Sequence, residues 1–595
     1  MLIEDYGLIG DMQSAALVGR NGSIDWLCLP RFDSASCFSA VVGDERHGRW
    51  LVAPAGEIRS TSRRYRPGTL VLETDFEVAD GAVRVIDFMP RRGSGPPRVM
   101  RIVEGLRGTV PMRMDLALRP DYGSITPWVD AAADGIVATA GPDAFRLSTP
   151  LPLSIEDGSV RSDFVIAPGA RERLTLTWHL SYEQTPPVED ADSALARTDA
   201  SWREWSGRCS YEGGYRDEVL TSLIALKAMT SEQTGAVIAA PTTSLPEEIG
   251  GVRNWDYRYS WLRDATLTLS ALGKVGKVDE AQSWLDWLKM ISLASGVEDL
   301  QIMYGVGGEP DLAEAELGHL EGYRASSPVR VGNGAAKQRQ IDTYGEVADA
   351  LWMMRLRSEE PMNPHRWRLM RALANRTLRE WREPDEGIWE VRGEPAHFVL
   401  SKVMCWVALD RAIALAELDG YDDENLRRWR HERDELRQEI LDRGFDQKLG
   451  SFTQSYGSGT LDASNLMLAT VGFIAPDDAR FVGTVRATQE HLMRGGLVDR
   501  YDVGHTDDGF SGQDEGTFAI CTLWLCTALL QIGDLRAARE LFDRVVGCAN
   551  DLGLLAEELT PDGEQLGNYP QAYTHIALIL CAFALEDAES AVAVH

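Results

Sequence analysis

The chain has 595 residues, more than one hydrophobic core usually supports, so two domains are expected. Hydrophobic residues make up 44% and charged residues 25% of the chain, as in an ordinary soluble globular protein. The 60 basic and 91 acidic residues give a formal net charge of −31. This charge argues against nucleic acid or an anionic membrane as a partner, since both need a basic surface.

Cysteine usage and the N-terminal sequence bear on the compartment. The eight cysteines form no CxxC pair, and most lie in apolar helical runs, which is typical of buried free thiols. The first residues are acidic where a signal peptide needs basic ones, and no apolar segment follows them. No window is long and apolar enough to span a bilayer. We therefore expect a cytoplasmic protein.

Short strand-like runs fill the first third of the chain. Runs such as LVLETDFEV, MRMDLAL and RLTLTWHL alternate or carry β-branched residues, and Gly, Pro and Asp separate them. This pattern predicts an antiparallel β-sandwich domain over residues 1–190. The helical spacing in SALARTDASWREWSGR then predicts a connecting helical linker over residues 191–214.

From residue 215 to 595 the pattern is helical. Twelve helices are predicted, starting near Arg216, Trp261, Asp279, Thr343, Arg366, Ser401, Glu424, Asp462, Ala479, Glu515, Leu535 and Pro570. The sixth, eighth, tenth and twelfth are apolar nearly all round, whereas the fifth, seventh, ninth and eleventh carry a charged face. A helix that is apolar on every side must be surrounded by protein, so inner and outer helices alternate. Long loops lead into the inner helices and short ones lead out. We therefore predict an (α/α)6 barrel with six long loops at one rim. An open helical solenoid would need a repeated loop motif, which these loops lack.

The stretch of residues 244–267 concentrates groups that bind sugars. It combines aromatic rings, guanidinium donors and carboxylate acceptors: Trp255, Tyr257, Tyr259, Trp261, Arg253, Arg258, Arg263, Asp256 and Asp264. Sugar hydroxyls need charged hydrogen-bond partners, and sugar C–H faces pack on aromatic rings. A helix follows, with Ser260 placed to cap it and Arg263 in its first turn, where a cation opposes the helix dipole.

Two glutamates have a plausible catalytic setting. Glu346 lies just past the first turn of a helix that Asp342 can cap, and its apolar neighbours would raise its pKa, as a general acid requires. Glu557 lies in a polar loop that could hold a water for a general base. Spacing alone leaves open whether Glu557 or the adjacent Glu558 is that base. Two such carboxyl groups on facing sides of a sugar-lined cavity favour glycoside hydrolysis by inversion.

Metal and cofactor motifs are not found in the sequence. The ten histidines show no HExxH or paired spacing, and glycine pairs lack the strand–helix context of a phosphate loop. We therefore expect no metal and no cofactor.

Several motifs resemble glycoside hydrolase family 15, the glucoamylase and bacterial trehalase family. These are RNWDYRYSWLRDA, GYRASSPVRVGNGA, QIDTYGEV, GIWEVRGEPAHFVLSKVMCWVALDRA and GEQLGNYPQAYTH, and the likeness covers essentially the whole length. The resemblance implies a β-sandwich followed by an (α/α)6 barrel. It also implies that Trp261, Arg263 and Asp264 bind the non-reducing glucose, that Glu346 is the general acid and that Glu557 is the general base. Gly345 stands where the fungal pattern has a first glutamate. Further substrate-binding positions are Trp255, Tyr257, Trp389, Glu390, Arg392 and Lys402, with Arg330 and Asn333 as additional candidates.

The resulting functional prediction is an inverting exo-acting α-glucoside hydrolase. It would release β-D-glucose from the non-reducing end of short sugars of the maltose or isomaltose type. The alternative is an α,α-trehalase on the same scaffold. An inverting disaccharide phosphorylase and a non-catalytic sugar-binding protein rank below both. The expected partner is a small α-glucoside, and the oligomeric state is left open.

Overall fold

The computed structural model describes residues 1–276, 278–295, 300–504, 506, 508–510 and 515–593. Its first part is a β-sandwich of two antiparallel eight-stranded sheets, as predicted. The sixteen strands are β1 (Tyr6–Gly10), β2 (Ala15–Gly19), β3 (Ser23–Cys28), β4 (Ser36–Phe38), β5 (Arg49–Pro54), β6 (Ile58–Tyr65), β7 (Leu72–Val78), β8 (Gly81–Phe88), β9 (Arg98–Gly108), β10 (Val110–Ala117), β11 (Trp128–Ala132), β12 (Gly135–Ala140), β13 (Asp143–Ser148), β14 (Ser154–Glu156), β15 (Ser159–Ile166) and β16 (Arg171–Leu180).

One sheet has the order β1-β2-β3-β5-β10-β15-β14, with β4 beside β3, and the other has the order β11-β12-β13-β16-β9-β8-β7-β6. Strand β10 shows how sequence alternation builds the core between them. Val110, Met112, Met114 and Leu116 are fully buried. The residues between them are exposed or half-buried, because successive side chains of a strand point to opposite faces.

Twelve α-helices follow in the described part of the chain. They are α1 (Ala191–Ser206), α2 (Arg216–Ala228), α3 (Leu262–Lys274), α4 (Val278–Ser295), α5 (Thr343–Leu356), α6 (Pro364–Glu380), α7 (Val399–Asp419), α8 (Leu426–Arg443), α9 (Ala479–His491), α10 (Ala519–Gln531), α11 (Leu535–Val546) and α12 (Ala572–Ala593). Helix α1 connects the sandwich to the helical domain. The division of the chain at residues 190 and 214 stays a proposal.

The helical domain closes into a ring. Helices α3, α5 and α7, the 3-10 helix Ala463–Met467, and helices α10 and α12 contact one another in succession, and α12 contacts α3. The other helices pack outside: α8 buries only Trp429, Leu436 and Ile440, whereas α7 and α10 bury most of their residues. The predicted (α/α)6 barrel is therefore confirmed.

The eighth predicted helix is not an α-helix. The run after Asp462 forms the short 3-10 helix Ala463–Met467 and then turns. Gly472 adopts a left-handed backbone conformation with φ of 76°, which ends any helical path there. Its apolar residues still fill the inner layer: Leu466 and Phe473 are buried. Hydrophobicity placed this segment correctly inside the ring, although it did not fix its backbone.

One predicted helix cap is wrong, and the other occupies the predicted position without a capping hydrogen bond. Trp261, not Ser260, is the N-cap of α3, and the buried Ser260 hydroxyl has no hydrogen-bond partner, because Ser260 pairs in a short strand with Tyr304. Asp342 is the N-cap residue of α5, but its side chain makes no capping bond. Both Asp342 carboxyl oxygens are buried without a hydrogen-bond partner, and the Arg263 guanidinium lies 3.8 Å away.

A buried arginine joins the sandwich to the barrel. The Arg258 guanidinium donates hydrogen bonds to Asp256 at 2.6 and 2.8 Å, to the Tyr122 hydroxyl at 2.9 Å and to the Ser34 carbonyl at 2.8 Å. The Asp256 carboxylate also accepts from the Gly332 amide at 3.1 Å. Ser34 and Tyr122 belong to the sandwich, so this domain helps to fix the loop that carries the predicted sugar-binding residues.

None of the described helices combines the length and the apolar character needed to cross a membrane.

Candidate active site

A cavity lies where the long loops meet at one rim of the barrel. It contains about 900 Å³ of space not filled by atoms, including solvent at its mouth. Its lining comes from segments at residues 239–264, 333–335, 388–392, 500–501, 508, 510, 518–520, 557 and 571–574. We call it the central cavity. Residues 296–299, 505, 507 and 511–514, which belong to two of the predicted rim loops, lie outside the described residues.

Most of the predicted site residues line the central cavity. They are Trp255, Tyr257, Trp261, Arg263, Asp264, Asn333, Trp389, Glu390, Arg392 and Glu557. The cavity therefore joins aromatic faces, guanidinium donors and carboxylates, the combination that binds a sugar. Glu346, Lys402 and Arg330 are not among its lining residues.

The first charged group of the cavity is the Arg263 cluster, formed by Arg263 with Asp264, Asp342, Glu346 and Glu390. The guanidinium lies 3.4 Å from an oxygen of Gln340, 3.6 Å from Glu390 and 3.8 Å from Asp342, and its Nε has no hydrogen-bond partner. Burial raises the pKa of Asp264 to about 6, although the Arg263 charge opposes this rise. Arg263 thus keeps donor capacity that a sugar hydroxyl can use.

Glu390 is aimed into the cavity by a strained loop. Its φ is 57°, in the left-handed region that a residue with a side chain seldom adopts, and such strain tends to occur at functional sites. Its Oε1 accepts a 2.7 Å hydrogen bond from the Trp261 indole. The neighbouring Trp389 indole donates to the buried Asp462 carboxylate at 3.0 Å, which anchors the loop. Glu390 is therefore a positioned carboxyl group on the cavity wall.

Glu346 lies within the electrostatic reach of Arg263 but off the cavity lining. Burial raises its pKa to about 8, with Asp342 raising it further and Arg263 opposing the rise. The neighbouring Gly345 is required by packing, because a Cβ there would lie 2.1 Å from the Met404 carbonyl oxygen of α7. That close approach of α5 and α7 explains a glycine inside a helix.

The second charged group is the Arg500 cluster, formed by Arg500 with Glu247, Glu515, Glu557 and Glu558. Arg500 binds Glu515 through two hydrogen bonds of 2.6 and 2.8 Å and lies 3.6 Å from Glu247. Burial raises the pKa values of Glu557 and Glu558 well above the usual range, and the Glu247 charge adds to both shifts. The Tyr257 hydroxyl donates a hydrogen bond to Glu557, which opposes the rise of its pKa.

The structure separates the adjacent residues Glu557 and Glu558. Glu557 lines the cavity, whereas Glu558 begins a short strand, pairs with Phe518 and is fully buried behind the wall. Neighbouring residues of an extended segment point to opposite sides, which accounts for the difference. Of the two, only Glu557 lines the cavity that would hold a substrate.

Two predicted substrate ligands, Lys402 and Arg330, lie off the cavity lining and donate to main-chain carbonyls, and their role in substrate binding stays a prediction. Lys402 is fully buried in α7, and its ammonium donates to the carbonyls of Trp381 at 2.6 Å and Glu383 at 2.5 Å. Arg330 donates to the Val252 carbonyl at 2.7 Å, and its guanidinium lies over the Trp255 ring at 4.6 Å. Lys402 therefore holds the end of α6, and Arg330 supports the cavity wall from behind.

The rim of the cavity is built around Trp255. Arg392 stacks on its ring at 4.2 Å, and Phe510 meets it edge to face at 5.5 Å. Glu314 binds Arg392 at 2.7 Å. The Arg330 and Arg392 guanidinium groups thus both lie over the Trp255 ring, and these cation–π contacts hold the ring in place at the entrance.

Several lining residues were not predicted as site residues from the sequence: Glu247, Arg500, Tyr501, Asp508, Phe510, Gln571 and Tyr573. Most of them lie in the loops predicted to meet at the rim. Arg500 and Tyr501 stand in the charged and aromatic run DRYD, which is the signal that could have identified them. Glu247 lies in the same stretch as Trp255, but nothing in its local sequence marks it.

Comparison with known proteins gives the family. The family described as Glycosyl hydrolases family 15 matches residues 213–583, and the family described as Trehalase-like, N-terminal matches residues 1–161.

Named relatives cover nearly the whole chain. A trehalase of Mycobacterium tuberculosis is 40% identical over 97% of this chain and 88% of its own length. A trehalase of Mycolicibacterium smegmatis is 39% identical over 97% and 90%, respectively. A trehalase of Thermoplasma volcanium is 35% identical over 98% and 94%.

A solved structure supports the fold independently. A bacterial glucoamylase complexed with acarbose superposes with a TM-score of 0.74 at 13% identity, covering 98% of this chain and 94% of that chain. At this identity the likeness concerns the fold alone. Together with the barrel, the sandwich and the sugar-binding character of the central cavity, the sequence matches show that this chain belongs to glycoside hydrolase family 15 and is a glycosidase.

Proposed function

We propose that this glycosidase is an α,α-trehalase, which hydrolyses the α,α-1,1 bond between two glucose units. The observation that carries the proposal is a likeness over nearly the whole chain. Trehalases from bacteria and archaea are 35–40% identical to this chain and cover at least 96% of it. The trehalase-like match over residues 1–161 supports the same activity. The comparisons thus favour the alternative prediction, an α,α-trehalase, over a hydrolase of maltose- or isomaltose-type sugars.

The chemistry of the cavity suits a disaccharide with two similar halves. Arg263, Asp264 and Glu390 supply charged hydrogen-bonding groups on one part of its lining. Arg253 and Asp508, joined by a 2.5 Å ion pair, supply another such set nearer Phe510 and Arg392. Each glucosyl unit of trehalose presents the same ring of hydroxyls, so each needs charged partners of this kind.

For the general base we propose Glu557. It lines the cavity, and the Tyr257 hydroxyl orients it. As a base it would remove a proton from a water whose oxygen attacks the anomeric carbon of one glucosyl unit. Because its pKa is raised, we expect the acidic limb of the kcat/KM profile to lie above the pH at which an ordinary glutamate titrates.

For the general acid we propose Glu390 in place of Glu346. A proton donor must reach the glycosidic oxygen, so geometry takes precedence over pKa, and Glu390 rather than Glu346 lines the cavity. Glu390 would protonate that oxygen as its bond to the anomeric carbon breaks. The assignment of Glu346 as acid stays a prediction, and its raised pKa makes it a proton-holding neighbour of Arg263.

Inversion at one centre fixes the products. The attacked unit leaves as β-D-glucose, and the other unit leaves as α-D-glucose because its anomeric bond to oxygen is not broken. At the end of the reaction Glu557 carries one extra proton and Glu390 lacks one. Glu557 releases its proton to solvent and Glu390 takes one up, which restores the enzyme. No phosphate enters this scheme.

The test is a substrate panel read by NMR at early times. Purified protein is given trehalose, maltose, isomaltose, kojibiose and nigerose, with and without inorganic phosphate. We expect trehalose to be cleaved with the highest kcat/KM and to yield equal α- and β-glucose at first. Faster cleavage of maltose or isomaltose would replace the proposal by a glucoamylase-type activity. Formation of glucose phosphate would replace it by a phosphorylase.

A further inference from the structure

Three buried carboxyl groups meet at the cavity wall, where Glu247 and Glu557 line the cavity and Glu558 lies behind them. Glu247, Glu557 and Glu558 are 2%, 8% and 0% exposed, and one oxygen from each lies within 4.8 Å of the others. We call them the carboxylate trio. Only Glu557 has a role in the mechanism above, so the other two need an explanation.

The surrounding charges do not neutralise the trio. Arg500 faces it but is held by two hydrogen bonds to Glu515 and reaches Glu247 only at 3.6 Å. Arg253 is bound to Asp508 at 2.5 Å and lies 3.5 Å from Glu515. Further toward the cavity lies another acidic group, Asp264, whose charge raises the pKa of Glu557 and which has Arg263 and Glu390 as its own charged neighbours. Two arginines therefore face at least five carboxyl groups in this part of the described chain.

Hydrogen bonding leads to the same conclusion. One oxygen of Glu247, one oxygen of Glu557 and both oxygens of Glu558 are buried without a hydrogen-bond partner. The groups that do donate to the trio are the Tyr257 hydroxyl, to Glu557, and the Trp255 side chain, to Glu247. A buried ionised carboxylate without donors is strongly disfavoured, whereas a protonated carboxyl supplies a donor to its neighbours.

We propose that the carboxylate trio shares its protons, with Glu558 and Glu247 protonated beside an ionised Glu557, so that both act as positioning residues for the base. The O–H of Glu558 then points to an oxygen of the trio that otherwise lacks a donor. This inference rests on the proposed role of Glu557 and adds how its charge is maintained. Raised pKa values for all three residues agree with it.

The kinetic test uses Glu558→Gln, which keeps an N–H donor at this position but cannot ionise. Because the trio shares its protons, a state with Glu558 ionised and Glu557 protonated competes with the active state. Glu558→Gln removes that competing state, so Glu557 ionises at lower pH. We expect the acidic limb of kcat/KM to move to lower pH by about 0.5–1 unit. Glu558→Asp, which restores an ionisable group, should move it back. The matched control is Glu564→Gln, an exposed glutamate of the same hairpin, which should leave the limb where it is.

A second arm does not depend on turnover. The folded protein holds more protons on the trio than the unfolded chain does, so the trio makes stability fall as pH rises from the unfolded pKa through the raised folded pKa. Between pH 5 and 8 the unfolding temperature of Glu558→Gln should therefore fall less than that of the wild type. Glu564→Gln should show the same fall as the wild type. If Glu558→Gln does not fold, Glu247→Gln is expected to shift both readouts in the same direction.

Two results would overturn the inference. One is a Glu558→Gln protein whose acidic limb and pH-dependent unfolding coincide with those of the wild type and of Glu564→Gln. The other is a rise in the unfolding temperature of EDTA-treated wild type on adding Mg²⁺ or Ca²⁺ that Glu558→Gln abolishes, which would make the trio a cation site. Failure to cleave trehalose would refute the proposed function and leave the unfolding arm intact, so the two failures are distinguishable.

Discussion

The Arg263 and Arg500 clusters lie at one cavity and contain the same kinds of groups, but they differ in how tightly the arginine is bound. Both surround a buried guanidinium with four carboxyl groups. In the Arg263 cluster the nearest partners lie 3.4–3.8 Å away and the Nε has none, whereas Arg500 is engaged by Glu515 at 2.6–2.8 Å. Arg263 is therefore available to a ligand. Arg500 is committed to the fold, so the carboxyl groups beside it must rely on one another.

The largest effect should come from the base. Glu557→Gln cannot accept the proton of the attacking water, so we expect kcat to fall by about 10²–10⁴-fold. Substrate binding, measured by calorimetry, should persist because the amide keeps the shape of the side chain. A Glu557→Gln enzyme of near-normal kcat, together with an inactive Glu558→Gln, would move the base by one residue.

The acid is tested by a pair of variants within the Arg263 cluster. We expect Glu390→Gln to lower kcat by about 10²-fold or more, since it removes the proton donor on the cavity wall. Glu346→Gln, which alters a carboxyl group off the wall, should cost less than about tenfold. A leaving group that needs no protonation, as in an α-glucosyl fluoride, should restore activity to the acid variant alone. If it rescues Glu346→Gln instead, the sequence-based assignment of Glu346 is correct.

Substitution of Arg263 and of Arg500 by lysine tests the difference between the two clusters directly. Arg263→Lys should lower kcat/KM by roughly tenfold or more with little change in stability, because its donors serve the ligand rather than the fold. Arg500→Lys loses the paired hydrogen bonds to Glu515, so we expect the free energy of unfolding to fall by about 1–3 kcal/mol. Steady-state kinetics and denaturant unfolding of both variants separate the roles. Equal stability losses would mean that Arg263 is also structural.

The smallest effect on activity is expected at Glu346, whose contribution is instead a pH-dependent change of stability. Its pKa is raised to about 8 in the folded protein, so it binds its proton more tightly there than in the unfolded chain. Stability from this group is present below the unfolded pKa and is lost as pH rises to about 8. Glu346→Gln should thus gain unfolding temperature relative to wild type as pH increases from 5 to 9. A difference that stays constant over this range would exclude a raised pKa.

The sequence predicted the architecture well because periodicity and hydrophobicity determine it. The alternation of all-apolar and one-sided helices sufficed for the ring, and even the segment after Asp462 was placed inside it, although its backbone is not α-helical. Local composition likewise identified Trp255, Tyr257, Trp261 and Arg263 as parts of one lining.

Side-chain direction could not be obtained in this way. Glu346 and Glu390 both follow aromatic and glycine-rich motifs, and only the left-handed turn at Glu390 brings its carboxyl to the cavity. Lys402 was predicted from the sequence to bind substrate, yet its ammonium group donates hydrogen bonds to two main-chain carbonyls. The trio escaped prediction since Glu247 and Glu558 meet only in the folded chain.

The hydrogen bonds of Arg258 limit how the two domains can be separated or exchanged. No described residue of the sandwich lines the cavity, yet Tyr122 and Ser34 accept hydrogen bonds from the Arg258 guanidinium. The same guanidinium binds Asp256, whose carboxylate accepts from the Gly332 amide. A barrel detached from its partner domain would lose this brace in the loop that carries Trp255 and Tyr257. Grafting a foreign sandwich onto this barrel therefore requires transplanting those contacts, and the two domains are constrained to change together.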